Sequence, residues 1–262
     1  MPSAPDPDSQ HYDLHRTYEH ESTLERYTRL TVGEGAPLTR LLWHELVLGI
    51  CTGLPGALGL GLRGMLYPLL FAGMTRGAHV GRQVTLRCPR QVHLERGVLV
   101  DDFAQLIATS RRPDAIRIGA GTMLRSFAMV NAGPPDGYVH IGERCGIGQG
   151  TILYGNGGLR IGDDVLIAGQ CFVVASSHNF DDPSLPMAQQ GYSARGITIE
   201  DNVWLGAGVK VLDGVTIGSG AIVGSNAVVT RSVEPGARVG GIPAHPLRRG
   251  ASGSTPGTPS AP

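Results

Sequence analysis

Residues 199–233 read IEDNVW-LGAGVK-VLDGVT-IGSGAI-VGSNAV-VTRSV. Each block of six opens on an aliphatic residue: Ile199, Leu205, Val211, Ile217, Val223 and Val229. Four places later stands a small or β-branched one: Val203, Val209, Val215, Ala221, Ala227 and Val233. Neither an α-helix nor a flat sheet has a period of six. A short fixed period means that each unit buries its apolar residue only by stacking on its neighbours. The pattern predicts a narrow prism of short strands with tight corners, both apolar positions pointing inward.

Working outward, an apolar-polar-apolar tripeptide opens each turn of the coil. It appears as Val92-His93-Leu94, Ile116-Arg117-Ile118, Val139-His140-Ile141, Leu159-Arg160-Ile161, Ile197-Thr198-Ile199 and Val215-Thr216-Ile217. Two further hexads follow each, so three hexads make a coil of 18 residues and the chain holds six coils. Successive coils exceed 18 residues by 6, 5, 2, 20 and 0. Every excess falls after the third hexad, so all insertions leave the prism at one corner.

Composition agrees with this frame. The 262 residues include 39 glycines, suited to permissive corners, and only 5% aromatics, for which a narrow interior has little room. Basic and acidic residues cancel at 22 each, and no Lys/Arg run suggests nucleic acid. Cys145 and Cys171 take the small inward position, and no CxxC pair suggests zinc, so no metal is expected. The first 40 residues lack the apolar core of a signal peptide, which predicts a cytoplasmic protein.

Four regions are expected. Residues 1–37 form a polar, partly disordered N-terminal region, in which 12–32 has the charge of a short solvated helix. Residues 38–77 are apolar and broken by Pro55, Arg63 and Pro68, which predicts two short helices around 38–52 and 56–71. This segment is shorter than a membrane span. It either caps the open end of the coil or lies at the inner membrane face as a peripheral anchor. Residues 78–249 hold the repeats, and 250–262 is a disordered tail. On this division, deleting residues 1–74 leaves the coils folded.

The segment Ile199–Arg249, with Asn202-Val203-Trp204, Val215-Thr216-Ile217-Gly218 and Gly241-Ile242-Pro243-Ala244, resembles the hexapeptide-repeat acyltransferases. Within them it is similar to the maltose, galactoside and polysaccharide-biosynthesis O-acetyltransferases. The resemblance covers roughly residues 78–249. It implies an all-β fold, a left-handed parallel β-helix, and an exception to the right-handed crossover rule. It also implies a homotrimer, and acetyl-CoA as donor to a sugar or glycan hydroxyl.

Such a transfer needs a base for the acceptor proton and stabilisation of the tetrahedral oxyanion. Of nine histidines, His93 and His140 read as outward strand residues, and His79 as lying before the first coil. His178 is different: it ends the fourth coil, where the 20-residue insertion begins. By resemblance, Ser177-His178-Asn179-Phe180-Asp181 is the catalytic loop and His178 the general base. Asp181 and Asp182 read as turn formers. The resemblance further implies that Trp204 lines the acyl cleft, that Gly206 and Ala207 meet the thioester, and that Thr230, Arg231 and Arg248 reach the nucleotide end of coenzyme A. Where maltose and galactoside enzymes carry an acceptor-side Asn, this chain has Gly150; Asn156, at the insertion corner, is the candidate replacement.

Two competing readings follow from the residues. A carbonic anhydrase on such a coil needs three converging histidines, and only His178 lies at the right corner. A non-catalytic scaffold or glycan-binding coil fits the repeat but not the long His-bearing loop.

Overall fold

The structure is a computed structural model that describes residues 9–10 and 21–247. Expectations on 1–8, 11–20 and 248–262, including the tail and Arg248, lie outside the described residues. The repeats build a left-handed parallel β-helix with three faces. The first face stacks Gly73–Met74, Val92–Leu94, Ile116–Ile118, Val139–Ile141, Leu159–Ile161, Ile197–Ile199 and Thr216–Ile217. The second carries nine strands, from His79–Val80 through Trp204–Leu205 to the terminal antiparallel pair Arg238–Gly240 and His245–Pro246. The third carries seven, from Thr85–Arg87 to Val228–Val229.

Register follows the hexads. Ile118 pairs with Ile141, Ile141 with Ile161, Ile161 with Ile199, and Ile199 with Ile217. All of these are buried. The fifth places Val98, Cys145, Val165, Val203 and Ala221 are also buried, with relative exposures of 1% or less. Burying each inward aliphatic contributes about 1.5–3 kcal/mol. Polar residues at inward places are satisfied: Thr122 Oγ1 donates to Gly142 O at 2.8 Å and accepts from Cys145 N at 3.0 Å. Coil stacking is tight enough to demand glycine. A Cβ on Gly142 would lie 2.5 Å from the Gly162 carbonyl oxygen of the next coil.

The described residues form seven coils, one more than the tripeptides count. The extra coil runs through Gly73–Met74, His79–Val80 and Thr85–Arg87, so His79 lies inside the prism's first turn and His178 ends the fifth. Met74, Val80 and Leu86 keep the period of six. The opening tripeptide there is Ala72-Gly73-Met74, without a β-branched residue, so it carries no strand signal.

Three helices close the N-terminal end. Helix α1 (Thr23–Val32) starts at a capping box in which Ser22 Oγ accepts from Glu25 N and Ser22 N donates to Glu25 Oε2. It is not a solvated helix. Thr28, Thr31 and Val32 are buried, and the Thr31 carbonyl accepts from Cys88 N of the first coil at 2.8 Å. Helices α2 (Leu38–Cys51) and α3 (Gly56–Leu66) follow, with a 3-10 turn at Tyr67–Leu69. Val47, Cys51, Tyr67, Leu70 and Phe71 join the same continuous core as the coil. Ser9–Gln10 is a strand paired with Tyr192–Ser193 rather than free chain.

Arg63 is the bolt of this cap. It is buried at 4% exposure, and its guanidinium donates to Val80 O at 2.8 Å, Cys51 O at 3.0 Å and Leu54 O at 2.9 Å. One cation thus ties the C-terminal end of α2 and the α2–α3 link to the first coil. Removing residues 1–74 would take away this bolt, the first strand and the cover over Val80 and Leu86. These contacts weigh against the expectation that the coils survive that deletion.

His44, on the buried side of α2, is 2% exposed, and neither ring nitrogen has a hydrogen-bond partner among the described residues. Burial pushes its pKa down from the ordinary histidine value, against the pull of Glu45. The unfolded chain therefore binds more protons than the folded one between the two pKa values. The stabilising effect of a neutral His44 is complete above the unfolded value of about 6.5 and is lost as pH falls from there through the lower folded value. Thermal melts should show the melting temperature falling from pH 7.5 to 5.5, and His44→Leu should flatten that fall. His140, also depressed by burial, leaves a residual slope in the same sense. An unchanged slope in His44→Leu would contradict the assignment.

Candidate active site

All long insertions leave where the third face turns into the first. There the fifth coil ends in Ser177–His178, a two-residue strand paired antiparallel with Tyr192–Ser193. The loop between them is folded around a buried side chain, Gln190. Its Oε1 accepts from Asp182 N at 3.0 Å, and its Nε2 donates to Leu185 O at 3.0 Å. Asn179 Nδ2 donates to the Gln190 carbonyl at 3.0 Å. At the loop's far end, Arg195 N and Gly196 N both donate to the Asp213 carboxylate.

His178 is exposed, with its ring edge-on to Tyr192 at a centroid distance of 6.5 Å. Among the described residues no hydrogen bond holds its imidazole. Asp182 does not orient it: its Oδ1 accepts from Ser184 N and Oγ, a local turn whose hydrogen bonds hold its carboxyl below the usual range. His178 opens on a cavity of about 340 Å³, shared with Asn156, Ser176, Tyr192, Thr109 and the α1 pair Arg29 and Leu30.

Asn156 reaches this cavity because Gly133 of the coil before lacks a side chain. A Cβ there would lie 2.7 Å from Asn156 Oδ1. That oxygen is buried and has no partner among the described residues. A buried acceptor left open in a cavity wall is suited to a ligand hydroxyl. Gly150, in contrast, is a left-handed corner residue between the second and third faces, with φ of 66°.

The remaining predicted positions lie elsewhere on the single chain. Trp204 is on the second face, 52% exposed, stacked between Leu166 and Ile222. Gly206 is buried, and a Cβ on it would meet Ser225 N at 2.7 Å, so coil stacking alone already demands glycine there. Ala207, Thr230 and Arg231 are exposed. Thr230 and Arg231 follow the third face of the seventh coil, at the same corner as His178 but two coils further on. Arg29 and Leu30 carry no signal in the sequence, because neither belongs to the repeat. His140 also differs from its reading as a plain outward residue: Nε2 is 2.8 Å from Asp114 O, and the ring packs on Tyr138 at 4.7 Å.

Comparison with known proteins places these features. The family model for bacterial transferase hexapeptide (six repeats) matches residues 196–231. A chloramphenicol acetyltransferase of Agrobacterium fabrum is 37% identical over 112 residues, 42% of this chain and 50% of that protein. The galactoside O-acetyltransferase of Escherichia coli is 31% identical over 110 residues, 42% of this chain and 53% of that protein. The chain thus spans about half the length of these curated relatives. Among solved structures, the polySia-specific acetyltransferase NeuO superposes with a TM-score of 0.52 at 26% identity, over 64% of this chain and 73% of that one. The chain carries the hexapeptide transferase repeat and is similar to acetyltransferases of that kind.

Proposed function

We propose that this protein is an O-acetyltransferase that moves an acetyl group from acetyl-CoA to a hydroxyl of a sugar or glycan precursor. The observation that carries the reading is the cavity at the insertion corner, which gathers His178 and the open amide oxygen of Asn156 on a rigid coil. Similarity to a galactoside O-acetyltransferase supports the sugar hydroxyl. In this reading His178 takes the proton as the acceptor oxygen attacks the thioester carbonyl. The tetrahedral adduct then collapses, the C–S bond breaks, and the thiolate leaving group takes a proton to become free coenzyme A. An imidazole is the side chain most often used for that proton transfer. Asn156 accepts from an acceptor hydroxyl, and Thr230 and Arg231 lie on the donor side.

The site is completed by a second copy. Trp204, Gly206 and Ala207 do not reach His178 within one chain. Between His79 and Arg238 at its ends, the outward column of the second face is apolar, with Met123, Leu166 and Trp204 exposed at 42%, 56% and 52%. The outward column of the first face is polar: His93, Arg117, His140, Arg160, Thr198 and Thr216. A homotrimer burying the second face against a neighbour's insertion corner covers the apolar column and brings Trp204 to His178. The outer surface of the cap is a further contact. α2 exposes Leu38, Leu42, Leu46 and Ile50 in one row, with Trp43 beside it, and α3 exposes Leu58 and Met65. Among the described residues no helix is long and apolar enough to cross a membrane. This row fits shallow insertion into a lipid surface.

Incubation with acetyl-CoA and a sugar panel should release free thiol, and His178→Ala should lower kcat by roughly 10²–10⁴-fold with coenzyme A affinity unchanged. Near wild-type turnover in that variant would remove His178 from the role. Light scattering should give three times the chain mass, and Leu166→Asp should yield monomers without activity; a fully active wild-type monomer would refute the shared site. Liposome sedimentation should retain part of the full chain, and Leu42→Asp/Leu46→Asp should release it. Equal partitioning of the two proteins would reject lipid contact.

A further inference from the structure

A second cleft, of about 630 Å³, adjoins the cavity of His178 and shares Arg29, Thr109 and Pro134 with it. Four arginines and two glutamates line it. Both glutamates are engaged: Glu21 with Arg29 at 2.9 Å and Glu34 with Arg111 at 3.2 Å. Arg40, in the first turn of α2, and Arg90, after the first coil, are exposed and have no ion-pair partner among the described residues. Among the described residues the cleft therefore holds two uncompensated cations. It also holds an open acceptor. Gln91 spends its Nε2 on Ser110 O at 2.6 Å, while its Oε1 is buried with no partner among the described residues. Guanidinium groups favour carboxylate and phosphate, and an unpaired amide oxygen favours a hydroxyl. Acid and hydroxyl together are the chemistry of an acidic sugar.

Position along the corner separates this cleft from the donor. Its walls come from the ends of the first three coils: Arg90 and Gln91, then Ser110 and Arg111, then Pro134 and Pro135. His178 ends the fifth coil, and Thr230 and Arg231 follow the seventh. At about 4.8 Å per coil, the middle of the cleft lies about 14 Å from His178, on the side away from the donor positions. One sugar cannot bridge that distance. We infer that the arginine cleft is an acceptor subsite for the acidic group of an oligosaccharide, carboxylate or phosphate, whose acetylated hydroxyl lies at His178. This rests on the acetyl-transfer reading for its purpose but not for its measurement.

The test is equilibrium binding to the full-length protein at low salt, with trigalacturonate, maltotriose 1-phosphate and neutral maltotriose as probes. At least one acidic probe should bind tenfold or more tightly than maltotriose, with the advantage shrinking as salt rises. Which of the two wins identifies the carboxylate or the phosphate as the acid. Arg40→Gln/Arg90→Gln should erase the advantage, Arg40→Lys/Arg90→Lys should restore part of it, and coenzyme A affinity should stay unchanged in both. Both arginines are exposed, so these variants should melt as the wild type does. Equal binding of all three probes would overturn the inference. So would an advantage that survives the double variant, or a loss of coenzyme A binding, which would make the cleft a donor site. If acidic binding depends on the arginines but no probe releases thiol from acetyl-CoA, the cleft stands and the acetyl-transfer reading falls.

Discussion

Everything in this molecule depends on contact between one coil and the next. A coil of 18 residues has no interior of its own. Leu153 is covered because Val130 lies below it and Val173 above, in register. That contact fixes the size of each coil and excludes a side chain where backbones meet, as at Gly142 beneath Gly162. Extra residues can leave the stack only where strands do not have to match, so the insertions gather at one corner. The same constraint makes the ends vulnerable, since the first coil has no neighbour below. Three helices supply that neighbour, held by Arg63 through Val80 O, Cys51 O and Leu54 O.

A functional arrangement follows from this geometry. Stacked insertions form a column of loops on a rigid edge, the kind of support a precise site requires. Along the column run the arginine cleft, the cavity of Asn156 and His178, and then the positions assigned to the donor. The loop that carries His178 is itself ordered from within, by Gln190, and from above, by Asp213. The polar outward column of the first face and the apolar outward residues Met123, Leu166 and Trp204 of the second give the prism two chemically different sides.

The repeat was legible because each coil restates the same short pattern, and register alone brings Asn156 and His178 to one corner. The first coil was not, since Gly73 stands where its neighbours carry His93 and Arg117. Helix α1 hides its packing face because the buried residues include Thr28 and Thr31, which read as polar. Arg63 read as a break in an apolar run, and only three-dimensional closure reveals the carbonyls it collects. His140 read as exposed because the Asp114 loop that covers it comes from another coil. Arg40, Arg90 and Gln91 are distant from His178 in sequence, and no local pattern joins them to it.

Acyl transfer at the insertion corner is the proposal on which the functional reading stands. A crystal structure of the protein with coenzyme A bound tests it most directly. The thiol sulfur should lie in contact with the imidazole of His178, with the nucleotide running toward Thr230 and Arg231. A thiol lodged at another corner, or a nucleotide lying in the cleft of Arg40 and Arg90, would contradict it.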